Sequence, residues 1–92
     1  MNFMSLVGIV HSIQIKTIND YISIIYLKVD NVLCQNRLNQ LDYQVVPIKA
    51  NKKIFKDELN MLKPGLVVGI KGRIDCNNQK IDLIAERIKV FN

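Results

Sequence analysis

Two-residue alternation of apolar and polar side chains constrains this chain more than any other feature. Ile25, Leu27 and Val29 alternate with Tyr26, Lys28 and Asp30. An extended backbone sends successive side chains to opposite faces, so this spacing makes one aliphatic face and one amphipathic face. Ile70, Gly72 and Ile74 alternate with Lys71 and Arg73 in the same way. Ile (14) and Val (9) supply a quarter of the 92 residues, and Trp is absent. Side chains branched at Cβ are stiff and pack well on a pleated surface, so this excess favours sheet over a helix bundle. It argues against a helical DNA reader.

Read along the chain, the first strand begins at Leu6-Val7-Gly8-Ile9-Val10 and runs on through Ile13 and Ile15. Gly8 marks a place where that strand bends or bulges. Asn19-Asp20 is a turn signal. The second strand covers residues 21–30, with a bulge near Ile24-Ile25 because Ile22 and Ile24 are out of phase with Ile25, Leu27 and Val29. Residues 31–41 are rich in Asn and Gln without periodicity and read as a loop. Tyr43 to Lys49 forms a third strand, where Pro47 calls for an edge or a bulge. Ile54, Phe55, Leu59 and Leu62 then recur at helical spacing, with Asn51 as N-cap and Pro64-Gly65 as the stop. Residues 66–75 give a fourth strand, Asn77-Asn78 a turn, and residues 80–91 a fifth.

Three strands, one helix and two strands, in a basic chain of 92 residues, predict an all-β fold with one helix. The expected architecture is the five-stranded OB barrel, whose helix sits between strands three and four. The length supports a single domain over residues 1–92. No apolar run approaches the roughly 18–20 residues of a membrane-spanning helix, and the N-terminus lacks the basic start of a secretory signal. Cys34 and Cys76 stand in no CxxC spacing, as expected of free thiols in a reducing compartment. A cytoplasmic protein with no membrane contact is the expectation.

Three stretches carry a family resemblance: Leu6-Val7-Gly8 opening strand one; Asp42-Tyr43 with Val46, Ile48 and the helix ending Leu62-Lys63-Pro64-Gly65; and Leu66 to Ile74 with Leu83 to Ile88. In this order they resemble the bacterial single-stranded DNA-binding protein (SSB) family. The resemblance is to a short, tail-less member, of the kind represented by PriB, the primosomal replication protein, or by a compact single-strand binder of a phage or mobile element. The resemblance implies an OB barrel that binds single strands, with Tyr43 where a base-stacking ring is expected and Lys49 standing at a second ring position. The family's long hairpin between strands four and five is reduced to a few residues around Asn77-Asn78-Gln79.

Binding a single strand without sequence choice needs cations along the phosphates and flat rings for the bases. Residues 1–48 carry three Lys/Arg and three Asp, whereas residues 49–92 carry ten Lys/Arg and five Asp/Glu, which is the entire net charge of +5. Lys49, Lys52 and Lys53 cluster where strand three meets the helix, and Lys71 and Arg73 share a face of strand four. Tyr26 and Lys28 of strand two, with Tyr43 and Lys49 of strand three, complete the expected surface on strands two, three and four. Four or five phosphate contacts at about 0.7 each give a log–log salt slope near −3 to −3.5. Composition does not separate DNA from RNA. Exposed apolar surface on strand one or five favours a homodimer or homotetramer.

Catalysis has little support. His11 is the single histidine, with no metal-ligand spacing around it, and no phosphate-loop motif occurs. No cofactor and no metal are expected. The function read from the sequence is single-stranded DNA binding in replication, restart or recombination, with replication proteins as further partners. The alternative is an OB-fold adaptor between proteins of a replication or primosome complex.

Overall fold

The computed structural model describes residues 2–15, 21–35 and 41–91, with backbone alone at 15, 31–35, 41 and 42. Five strands and one short helix follow one another as β1 (Met4–Ile15), β2 (Ile22–Gln35), β3 (Leu41–Asn51), α1 (Lys56–Met61), β4 (Val67–Asn77) and β5 (Lys80–Phe91). The strands close into a barrel in the order β1-β2-β3-β5-β4. The helix stands between β3 and β4, as the order of elements in the sequence predicts.

The alternation in the sequence becomes the inside and outside of this barrel. Ile25, Leu27, Ile48, Val68 and Ile70 are fully buried and meet Val10, Ala50 and Ala85 in one cluster. Each large aliphatic side chain taken from water contributes about 1.5–3 kcal/mol. Phe55 and Leu62 plug the cluster from either side of α1, while their chain neighbours Ile54 and Met61 face solvent.

Local details differ from the sequence reading in instructive ways. The bulge lies on β1, at His11, and not on β2: Val10 pairs with Leu27 and Ser12 with Tyr26, so His11 is the extra residue. That insertion resets the phase of β1, allowing Val10 and Ile13 both to reach the core. β2 runs without interruption against β3 from Ile22 to Asn31, and Ile24 is buried on the outer side, apart from the core cluster. Residues 31–35 extend β2 instead of forming a loop. There the ribbon pairs with β3 only, so no core face imposes alternation on its side chains. Leu41, the last residue of the expected loop, opens β3, and the expected turn at Asn19-Asp20 and residues 36–40 lie outside the described residues.

The helix is shorter than its apolar spacing predicts. Asn51 does accept hydrogen bonds from the backbone N–H groups of Lys53 and Ile54 (2.9 and 3.1 Å). These hold a turn over residues 52–55, and regular helix begins only at Lys56. Pro47 lies in β3 where, among the described residues, that strand's second edge has no partner, since β5 pairs with β3 at Ile48 and Lys49. The hairpin from β4 to β5 turns on Asn78 and Gln79, both at positive φ (51° and 66°), one residue beyond the expected pair.

A second bulge, at Glu86, interrupts the β4–β5 ladder between the Lys71–Arg87 and Gly72–Ala85 pairs. It brings the β5 backbone so close to Gly72 that a Cβ there would overlap the carbonyl of Ile84. Gly72→Ala is therefore expected to destabilise the fold by about 3 kcal/mol, the upper end for overpacking. Urea unfolding measures this; an unchanged midpoint would show that the β5 backbone gives way.

Candidate nucleic-acid interface

The barrel order decides which of the predicted side chains can act together. β4 lies between β5 and β1, and so pairs with neither β2 nor β3. The expected surface over strands two, three and four accordingly divides into two. Tyr26, Lys28, Tyr43 and Lys49 project from the outer face of β2 and β3, Lys52 and Lys53 follow in the turn after β3, and Lys71 and Arg73 stand on the outer face of β4.

On the β2–β3 face, Tyr26 pairs with Pro47, Lys28 with Val45 and Asp30 with Tyr43. The Lys28 ammonium sits 3.8 Å from the centre of the Tyr43 ring, which is 53% exposed. Such a contact is worth about 0.5–1 kcal/mol at an exposed site. It aligns a cation with a stacking surface. The Tyr26 hydroxyl donates to Gln14 Oε1 of β1 at 2.7 Å, which fixes the ring across the β1–β2 ladder. Lys49 is half-buried and ion-paired with Asp82 of β5 at 3.0 Å. It fastens the seam between β3 and β5.

Tyr21 was missed in the sequence reading because it precedes the alternating run of β2. Its exposed ring carries the Lys53 ammonium at 4.3 Å, and its carbonyl accepts from the backbone N–H of Lys52 at 2.8 Å. Tyr21–Lys53 thus repeats the arrangement of Tyr43–Lys28.

On β4, Arg73 donates to Glu86 at 2.7 Å, the carboxylate that the bulge aims toward it. This hydrogen bond and the opposite charge hold the Glu86 carboxyl below its ordinary value of 4.5 and raise the Arg73 guanidinium. Lys71 is exposed, and its cross-strand neighbour on β5 is Arg87, a second cation. Among the described residues neither has an ion-pair partner. Arg87, Lys89 and Phe91 share the outer face of β5 at two-residue spacing, and the Lys89 ammonium lies 5.3 Å from the Phe91 ring. Alternation against Ile88 and Val90 contained that signal.

His11 is exposed at its bulge, its Nδ1 3.2 Å from Ser12 Oγ. Cys76 is a free, exposed thiol, and the side chain of Cys34 lies outside the described residues. Among the described residues no three His, Cys, Asp or Glu side chains gather at a metal-binding distance, and no helix is long and apolar enough to cross a membrane. Because the folded state lowers the Glu86 pKa, the Arg73–Glu86 contribution is present above pH 4.5 and is lost as pH falls through the folded value. An NMR titration is expected to place the Glu86 midpoint below 4.5 and to return it toward 4.5 in Arg73→Gln. An unshifted midpoint in the unsubstituted protein would mean that the pair does not persist in solution.

No protein-family model and no curated protein matches the sequence. Solved structures do match its fold. The dimeric N-terminal domain of PriB from Thermoanaerobacter tencongensis superposes with a TM-score of 0.62 at 23% identity, covering 99% of this chain and 97% of that one. A Plasmodium falciparum single-stranded DNA-binding protein, solved with single-stranded DNA, gives 0.61 at 17% identity over 100% and 96%. The small single-stranded DNA-binding protein of Streptomyces coelicolor gives 0.65 at 16% identity over 97% and 91%. At these identities the likeness is one of fold: the chain is a five-stranded OB barrel with its helix between β3 and β4.

Proposed function

We propose that this protein binds single-stranded DNA in replication, restart or recombination, in the cytoplasm, as a binding protein and not a catalyst. One observation carries the reading. Exposed tyrosine rings, each with a lysine ammonium on its face, lie on a barrel whose structural neighbours include PriB and single-stranded DNA-binding proteins. The proposed contacts are Tyr26, Lys28, Tyr43, Lys49, Lys52, Lys53, Lys71 and Arg73. Lys28, Lys52, Lys53 and Lys71 take phosphates directly, since no ion pair holds them among the described residues. Lys49 and Arg73 first exchange a carboxylate for a phosphate. Tyr43 supplies a stacking face once Lys28 swings from its ring to a phosphate, and stacking is worth about 1–3 kcal/mol per base.

Association into a homodimer or homotetramer fits the same picture. Ile9 of β1 and Val67 of β4 are cross-strand partners with about two-fifths of their surface exposed. A second copy would cover them. Ile9→Lys is expected to shift the molar mass measured by light scattering toward the monomer, with the thermal midpoint nearly unchanged. A mass unaffected by Ile9→Lys would place the contact elsewhere.

Fluorescence anisotropy with labelled oligo-dT, against a duplex of equal length and across a salt series, tests the binding itself. The expected result is single-strand preference with a log–log slope of about −3 or steeper, from at least four phosphates at about 0.7 each. Tyr43→Ala is expected to weaken binding by about fivefold to a hundredfold. Equal, weak binding to both forms, indifferent to Tyr43, would overturn the reading in favour of an adaptor between proteins.

A further inference from the structure

The outer face of β1, β4 and β5 has an organisation of which the proposed contacts use only Lys71 and Arg73. Three rows cross it. Ser5, Lys71 and Arg87 form the first, Val7, Gly69 and Lys89 the second, and Ile9, Val67 and Phe91 the third. Two adjoining hollows, of about 550 and 590 Å³, share Ser5, Lys71 and Arg87 and so make one groove across the face. Phe3 lines one end and Phe91 the other.

Among the described residues no ion pair compensates Lys71, Arg87 or Lys89 on this groove. Lys71 and Arg87 are direct cross-strand neighbours, and like charges in that position repel. Its one lining carboxylate, Glu86, is already engaged by Arg73. Lys89 adds a third cation on the same face. The β2–β3 face differs, since Lys49 is balanced by Asp82 and Asp30 stands on the same surface as Lys28.

The Phe91 ring and the backbone beside Phe3 are held in place. The Phe91 ring lies against Gly69, where a Cβ would come within 2.9 Å of it, and remains 40% exposed. Phe3 is 68% exposed, yet its backbone is anchored by its neighbour: the Asn2 amide donates to the Ile74 carbonyl at 2.6 Å, and its oxygen accepts from the Ile74 N–H at 2.9 Å. That clamp extends the β1–β4 ladder past Met4 and keeps Phe3 beside the groove.

We infer that this groove is a second track for single-stranded nucleic acid, with Lys71, Arg87 and Lys89 on phosphates and Phe3 and Phe91 stacking bases at its two ends. The inference rests on the proposed single-strand binding and adds Phe3, Arg87, Lys89 and Phe91 to it. The strand then passes from the β2–β3 face around the barrel and over β4 and β5. A two-fold interface centred on the first two rows sets Lys71, Arg87 and Lys89 against themselves, so a second copy of the chain seated on Ile9 and Val67 stays off those rows.

The test is the salt dependence of oligo-dT binding by the intact protein and by R87Q/K89Q. Two lost phosphate contacts make the slope shallower by about 1.4. Both substitutions lie on exposed side chains, and a melting curve checks that the fold is retained. Ultraviolet cross-linking to oligo-dT provides the second readout, with adducts expected at Phe3 and Phe91 as well as on β2 and β3. If the unsubstituted protein shows no single-strand preference, the underlying reading fails first. If it binds single strands while R87Q/K89Q keeps the same slope and adducts are confined to β2 and β3, the second track is overturned. Retention of the slope together with lost binding of an acidic, phenylalanine-containing peptide would also overturn it, and assign the groove to a protein partner.

Discussion

Closure of the barrel rests on a short parallel contact, in which Ile48 and Lys49 of β3 meet Leu83 and Ile84 of β5. Every other seam is a longer antiparallel ladder. The burial of Ile48 beneath this seam and the ion pair from Lys49 to Asp82 across its surface hold two strands that have few backbone bonds in common. A pair still a third exposed to water contributes about 1 kcal/mol. Ile48, with no exposed surface, therefore contributes more to closure than the ion pair does. Once the seam is closed, β5 is interposed between β3 and β4, and the outer surface separates into the two faces proposed to bind.

The bulges at His11 and Glu86 do the local work of closure. Each adds one residue to one strand, turns the side chains beyond it to the opposite face and bends the sheet more sharply. At Glu86 this bend also directs a carboxylate to Arg73, and so leaves Lys71 and Arg87 without a counter-charge in the first row of the face. Packing and electrostatics are therefore coupled at one position. Gly72, which lets the bulged backbone approach, is part of the same device.

The two faces differ in how they hold charge beside aromatic surface. Around β2 and β3, lysines rest on tyrosine rings or on carboxylates, so an incoming strand must exchange one partner for another. Over β4 and β5, Lys71 and Arg87 face solvent with no ion-pair partner among the described residues, and no such exchange is needed at them. Attraction at a distance belongs mainly to the second face, and stacking on tyrosine mainly to the first.

Much of the fold was legible because alternation is a local property. Ile25, Leu27 and Val29 could be assigned to one face, and Ile70 with Gly72 to another, without knowledge of any partner strand. Three strands, a helix and two strands then narrowed the architecture to an OB barrel, which the closed five-stranded order matches. The extent of β2 beyond Asp30 was not legible, because a ribbon with one neighbour has no core face to impress a pattern on its side chains. The bulge at His11 was assigned to the wrong strand for a related reason: a phase change in β2 looks the same whether β2 or its partner carries the extra residue. For the candidate site, parity showed which side chains share a face of one strand, as with Lys71 and Arg73. It could not show that Lys71 lies beside Arg87, that Arg73 is taken by Glu86, or that Lys53 rests on Tyr21. The sequence by itself determined the strands, their inner faces and the excess of cations after residue 48. Only the tertiary structure decided which cations are neutralised and which rings they accompany, because those contacts join residues far apart in the chain whose meeting depends on strand order and register.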